Sequence, residues 1–144
     1  MQGVDKTSTI IMGNWRVSMF QDTIAAIATA DAMGAISVIR ISGSDAIQIV
    51  TDLTGKDLSD AKGYTIHYAT IKEGNESVDE VLVSLFRAPK SYTGEDVVEI
   101  SCHGGVYITR KVLSLILGAG ARMARRGEFT ERAFLSGKMD LSQA

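Results

Sequence analysis

Residues 88–105 read APKSYTGEDVVEISCHGG, and they place an acidic turn, a short strand and the start of a helix next to one another. Glu95 and Asp96 lie in the turn, and Glu99 lies inside the β-branched run that follows. His103-Gly104-Gly105 then opens the helix. A carboxylate in such a run is costly to bury unless a donor reaches it. Glu99 therefore needs either a partner or an exposed face.

Hydrophobic patterning around this stretch predicts short strands and two main helices. The first helix ends at Gly55, and the second follows Gly105 with Ile108, Val112, Leu115 and Ile116 on its buried face. A small helix is expected near residues 129–135. The strands are predicted at residues 23–28, 35–41, 64–71, 79–86 and 97–102, with a polar loop at 72–77. The order β-β-α-β-β-β-α indicates an α+β fold with a mixed sheet of about five strands.

The composition is that of a globular domain with a modest core. The chain has 144 residues, of which 45% are hydrophobic and 22% charged. A single cysteine excludes an internal disulfide, and no apolar run approaches the roughly 20 residues of a membrane helix. These features predict a cytoplasmic protein without a membrane segment. The charge is uneven, because residues 104–144 carry 7 bases and 3 acids whereas residues 1–103 carry 8 bases and 14 acids.

Three residues are candidates for ligand binding. Glu99 could accept two parallel hydrogen bonds from the ring N–H and amino group of a pterin, or it could face solvent at a sheet edge. Arg40 ends the second strand, where its guanidinium suits a ligand carbonyl or carboxylate, or pairs with a surface acid. Lys138 follows Gly137 in a turn, where its ammonium group could reach a ligand carboxylate or remain solvated.

Other sequence patterns are weaker candidates for functional sites. His103-Gly104-Gly105 is either an anion site or, as we favour, an ordinary tight turn. Cys102 and His103 resemble a nucleophile and base, but neighbouring strand residues point to opposite faces. Two distant histidines and one cysteine lack the spacing of a metal site, and Arg125-Arg126 is weak evidence for contact with a nucleic acid. We therefore predict no catalytic residue and no metal site, and the sequence lacks the nucleotide-binding pattern G-x-x-x-x-G-K-[ST].

The chain resembles the N-terminal domain of the bacterial and mitochondrial tRNA-modification GTPases, the MnmE (TrmE) family. The resemblance covers residues 22–144 and rests on several blocks in the family's order, namely Asp22-Thr23-Ile24, Ile39-Arg40-Ile41-Ser42-Gly43, residues 93–99 and residues 140–144. Separated blocks that coincide in order are specific evidence. The chain departs from the family at Arg126, where a proline is usual, and at residues 29–34, which lack the usual proline and paired glycines.

The resemblance implies a cofactor, a fold relation and partners. The family domain binds 5-formyltetrahydrofolate or a related tetrahydrofolate, and the resemblance implies that Glu99 holds the pterin, Arg40 the pterin or formyl region, and Lys138 the anionic tail. The domain forms a homodimer and is related to the folate-binding domain of the glycine-cleavage aminomethyltransferase. The full-length protein works with an MnmG-type flavoprotein in C5 modification of the tRNA wobble uridine. GTP, potassium and magnesium belong to a GTPase domain that is not in this sequence, so this chain alone should not hydrolyse GTP.

The resemblance also suggests domain boundaries. Residues 1–18 match nothing in the family and are interpreted as a leader or tag, residues 19–139 as the folate-binding and dimerisation domain, and residues 140–144 as the start of a truncated helical domain. The rival hypothesis is a truncated, non-catalytic dimerisation module without cofactor binding, which the altered residues 30–34 and Arg126 favour. A third hypothesis is an anion- or nucleotide-binding domain that uses His103-Gly104-Gly105.

Overall fold

The computed structural model describes residues 22–29 and 36–137. This part of the chain forms six strands and three helices, an α+β fold with a mixed sheet. In chain order they are β1 (Ile24–Ile27), β2 (Ser37–Ser42), α1 (Ala46–Thr54), β3 (Thr65–Glu73), β4 (Glu76–Phe86), β5 (Val97–Cys102), α2 (Gly105–Gly118), β6 (Arg122–Met123) and α3 (Glu128–Leu135). Within these residues no helix is both long and apolar enough to cross a membrane.

The sheet has the strand order β3-β4-β5-β2-β1-β6. The pairs β3–β4, β4–β5, β5–β2 and β2–β1 are antiparallel, and only β1 and β6 run parallel. The β2–β5 register places Arg40 directly opposite Glu99. The chain thus brings two residues 59 positions apart into one cross-strand pair.

The two faces of the sheet differ in what covers them. Helices α1 and α2 contact one face, where the side chains are aliphatic and fully buried. Ile39 and Ile41 of β2 and Val98 and Ile100 of β5 are all 0% exposed. Since alternate strand residues point to opposite faces, the residues between them, Arg40 and Glu99, point to the other face. We call these the helical face and the open face of the sheet.

Helix α1 begins and ends for different physical reasons. Its C-cap is Gly55, whose positive φ of 72° glycine adopts without a steric penalty, as the sequence predicted. At its start, the N-cap Asp45 makes no side-chain hydrogen bond to the helix. Instead, the Asp45 N–H donates to the Thr23 hydroxyl at 3.0 Å, so β1 fixes where the helix starts.

Two expectations about the sheet need correction. The sheet has a sixth strand, because the N–H groups of Arg122 and Ala124 donate to the carbonyls of Thr23 and Ala25 at 2.7 and 2.9 Å. The two residues of β6 show no strand pattern of their own, so this pairing is purely tertiary. The polar loop expected at 72–77 is only a two-residue turn, since β3 and β4 pair as far as Glu73 and Glu76.

The buried face of α2 is also offset from the expected one. Its buried residues are Thr109, Val112, Leu113 and Ile116, whereas Ile108 and Leu115 are only partly buried. Several other expectations lie outside the described residues, namely the leader at 1–18, the altered loop at 30–34, the site residue Lys138 and the helix after Asp140.

Candidate functional site

The centre of the open face holds an ion pair between Arg40 and Glu99. The Arg40 Nε donates to Glu99 Oε2 at 2.9 Å, and the two side chains are 28% and 29% exposed. Glu99 therefore has both the partner and the partial exposure that its position in an apolar strand requires. The structure brings together two of the three residues predicted from the sequence, and the third, Lys138, lies outside the described residues.

Two aromatic rings enclose the Arg40 guanidinium. Its central carbon lies 5.5 Å from the centre of the Tyr92 ring and 5.4 Å from the centre of the Phe129 ring. Both distances are within the range of cation–π attraction. Tyr92 comes from the segment between β4 and β5, Phe129 comes from α3, and the Tyr92 hydroxyl lies 3.1 Å from the Thr130 hydroxyl. These contacts join three separate chain segments around Arg40.

A cavity of about 340 Å³ opens beside this arrangement. Its wall combines small residues of β1 with aromatic and basic side chains from α3 and the segment before it. Glu99 is not among the described residues of the wall, but it is paired with Arg40, which is. The lining residues are Ala26, Ile27, Ala28, Arg40, Tyr92, Ala124, Arg125, Arg126, Gly127, Phe129 and Thr130. Pockets of about 300–1,000 Å³ with apolar walls and a few convergent polar groups are typical of small-molecule sites.

Helix α3, which supplies Phe129, is held by charged rather than apolar contacts. We call the group Asp22, Glu95, Arg122, Glu128 and Arg132 the ionic cluster. Arg132 donates to Glu95 at 3.0 Å and to Asp22 at 2.7 Å, although its own side chain is only 3% exposed. Arg122 donates to Asp22 and to Glu128, each at 2.7 Å. The Glu128 side chain is 2% exposed, whereas those of Arg122 and Asp22 are 41% and 48% exposed, so the cluster is buried at its centre and open to solvent at its edge.

The ionic cluster lowers the pKa of two of its carboxyls, those of Glu128 and Asp22. Desolvation by burial opposes ionisation of Glu128, but hydrogen bonds from Arg122 and from the Arg125 N–H outweigh it and lower its pKa from 4.5 to about 2. At Asp22, desolvation is likewise outweighed by Arg122 and Arg132, which lower the pKa of its carboxyl. No sequence pattern indicated this cluster. Its only local signal is Glu128, which lies three residues after Arg125 and accepts that residue's N–H at 2.7 Å.

The acidic turn before β5 has a structural role. The Glu95 carboxylate accepts from the Ser42 hydroxyl at 2.7 Å and from Arg132, and the Ser42 hydroxyl lies 2.7 Å from that of the fully buried Thr93. The Asp96 carboxylate accepts the Ala88 N–H at 2.8 Å. Both acids thus fix the segment that carries Tyr92, and the ionic cluster connects this segment to α3.

The turn at His103-Gly104-Gly105 is closed by the chain itself. Asp79 Oδ2 accepts the N–H groups of His103 and Gly104 at 2.8 and 3.3 Å, so a carboxylate already takes the position that a bound anion would need. This geometry corresponds to the ordinary turn rather than to an anion site. Next to it, Cys102 is 0% exposed, and burial raises the pKa of its thiol to about 12, which makes it a poor nucleophile.

The fold and site together define an α+β domain with two helices on one face of a mixed sheet and an ion-paired, aromatic-walled cavity on the other. Comparison with known sequences identifies the family to which this domain belongs. A family model described as "GTP-binding protein TrmE N-terminus" matches residues 23–138. The chain belongs to this family, the N-terminal domains of TrmE.

Curated relatives agree with this assignment. The chain is 57% identical over 131 residues to the tRNA modification GTPase MnmE of Bacteroides thetaiotaomicron, and the match covers 88% of this chain and 28% of that protein. It is 55% identical over 126 residues to the MnmE of Lacticaseibacillus paracasei, where the match covers 85% of this chain and 27% of that protein. It is 50% identical over 130 residues to the MnmE of Flavobacterium psychrophilum, with 88% and 28% covered. The chain therefore spans little more than a quarter of the length of these relatives.

Proposed function

We propose that this domain binds a tetrahydrofolate one-carbon donor, 5-formyltetrahydrofolate or a close relative, within a tRNA modification GTPase. The observation that carries the proposal is the Arg40–Glu99 pair beside a cavity of about 340 Å³ with aromatic walls. When bound, the folate supplies a one-carbon unit for C5 modification of the tRNA wobble uridine. GTP, potassium and magnesium act elsewhere in the full-length protein, which works in the cytoplasm with an MnmG-type flavoprotein.

The polar groups of the site fit a pterin-type ring. Glu99 uses Oε2 for Arg40, and among the described residues nothing donates to its Oε1. A carboxylate oxygen in this state can accept from the amino group or ring N–H of a pterin. The terminal N–H groups of Arg40 suit a ligand carbonyl or formyl oxygen. Lys138 remains the predicted contact of the anionic tail.

The cavity is small for a whole folate and suitable for its ring system. A planar heterocycle stacks well on aromatic rings and on a guanidinium plane. Tyr92 and Phe129 are therefore the walls against which a ring would pack, while Ala26 and Ala28 leave space beside Arg40. The ionic cluster positions α3 and so determines where Phe129 lies.

The open face supports the proposal that the domain acts as a homodimer. Three large apolar side chains of β3 and β4 are exposed on it, with Ile66 at 67%, Tyr68 at 59% and Leu82 at 39%. Contiguous apolar surface of this kind is typical of protein interaction sites. Pairing of two such faces would give the arrangement of the aminomethyltransferase folate-binding domains, to which we propose the fold is related.

The proposal is tested by calorimetric titration of the folded protein with 5-formyltetrahydrofolate. We expect saturable binding that Glu99→Gln weakens by at least about tenfold, because a hydrogen bond to a charged group contributes about 1.5–3 kcal/mol. Glu76→Gln is the matched control, since Glu76 is an exposed glutamate at the far hairpin. Equal binding by the wild type and Glu99→Gln would contradict the assigned site.

A second candidate function is a dimerisation module that binds no cofactor. One observation favours it: the Arg40 guanidinium already contacts the Tyr92 and Phe129 rings and pairs with Glu99, so its charge is compensated without a ligand. The same titration separates the two candidates, because this module would remain folded and dimeric in analytical ultracentrifugation while showing no heat of binding.

A further inference from the structure

Arg126 differs from the other arginines of the cavity wall in having no acidic partner. Arg40 pairs with Glu99 at 2.9 Å. Arg125 pairs with Glu128 and with Glu131, each at 3.2 Å. The Arg126 side chain is exposed, and within residues 22–29 and 36–137 its guanidinium makes neither an ion pair nor a hydrogen bond. Among the arginines of the described wall, Arg126 is thus the one whose charge no carboxylate already compensates.

The local backbone places Arg126 at the rim of the cavity. The next residue, Gly127, has a φ of +76°, and it reverses the chain into α3 at the cavity wall. The nearest acids do not compete for Arg126: the Glu128 carboxylate is buried against Arg122, and the Glu131 carboxylate is bound by Arg125. The rim therefore presents positive charge to anything that extends out of the cavity.

We infer that Arg126 recognises an acidic tail of the ligand and makes the pocket prefer a tail with more carboxylates. This inference rests on the proposed function, because the tail is then the γ-linked glutamate chain of a folate. A monoglutamyl folate carries two tail carboxylates, and each further glutamate adds one. A longer tail brings more charge within the reach of a rim cation, while the pterin end keeps its contacts at Arg40 and Glu99.

The expected size of the effect follows from the exposure of Arg126. An ion pair in solvent contributes modestly, so the triglutamyl form should bind about two- to fivefold more tightly than the monoglutamyl form. Added salt should reduce this preference, because salt screens exposed charges more than buried ones.

The test is a calorimetric comparison of monoglutamyl and triglutamyl 5-formyltetrahydrofolate at low and high salt. We expect the wild type to prefer the triglutamyl form, and Arg126→Gln to lose most of that preference, with a smaller loss of affinity for the monoglutamyl form, whose shorter tail carries fewer carboxylates. Arg110→Gln is the matched control, because Arg110 is an exposed arginine on α2, on the other side of the sheet, and it should retain the preference. Circular dichroism checks that each variant is folded.

The outcomes separate this inference from the function on which it rests. Monoglutamyl binding that depends on Glu99, without any tail preference in the wild type, overturns the role of Arg126 alone. A tail preference that persists in Arg126→Gln overturns it as well, and assigns the tail to another cation. If neither form binds the folded wild type, the proposed folate site is itself wrong and this inference falls with it.

Discussion

The helical face and the open face of one sheet are built on different physical grounds. The helical face is aliphatic, and each of its strands contributes residues in simple alternation, such as Ile39 and Ile41. The open face has a cross-strand ion pair, two aromatic rings and a buried ionic cluster, contributed by segments far apart in the chain. Apolar burial therefore specifies the fold on the helical face, while paired charges position the site on the open face.

The largest expected effect comes from breaking the buried charges. Arg132→Met removes the cation shared by Asp22, Glu95 and Glu128, and it leaves the largely buried Glu95 without an ionic partner, whereas Asp22 and Glu128 keep Arg122. We expect a loss of about 3–5 kcal/mol in the free energy of unfolding, measured by urea denaturation. Lys111→Met is the control, since it breaks an exposed pair with Glu73 and should cost less than about 1 kcal/mol. Similar losses in both variants would show that the ionic cluster is no more important than a surface pair.

A matched pair of truncations compares the two faces directly. Ile100→Ala on the helical face removes a side chain that is 0% exposed and should cost about 2–5 kcal/mol, because it leaves a cavity. Ile66→Ala on the open face removes one that is 67% exposed and should cost less than about 1 kcal/mol in the monomer. Denaturation at low protein concentration measures both. An equally large cost at Ile66 would mean that the open face is covered in the folded protein.

The smallest expected effect is a pH dependence. The folded-state pKa of Glu128, about 2, lies below its ordinary value of 4.5. The ionised form therefore contributes stability that is fully present above pH 4.5 and is lost as the pH falls towards 2, by about 2 to 3 kcal/mol. Glu128→Gln should reduce this loss of stability at low pH, measured by urea denaturation at several pH values between 2 and 4.5. If the loss is unchanged in the variant, other carboxyls such as Asp22 are responsible for it.

Sequence patterns predicted the helical face better than the open face. Alternation and glycine positions located the strands, the end of α1 at Gly55 and the position of Glu99 on the less buried side of β5. The sequence could not show that Arg40 lies opposite Glu99, because register depends on pairing between distant strands. It also missed Arg132 and Phe129, whose spacing in α3 looks like that of an ordinary surface helix. Their roles come from contacts more than 35 residues away, such as that of Arg132 with Glu95 at a separation of 37.

The parallel pairing of β1 with β6 has a consequence for synthesis on the ribosome. β1 is the first strand described, yet its outer edge remains open until residues 122–123 have been made. The same is true of Asp22, whose partners Arg122 and Arg132 follow 100 and 110 residues later. A nascent chain can pair β1 with β2 early, but the edge stays available to other strands until β6 emerges. Folding of this domain is therefore completed late in its translation, and β6 is the strand that covers the edge of β1.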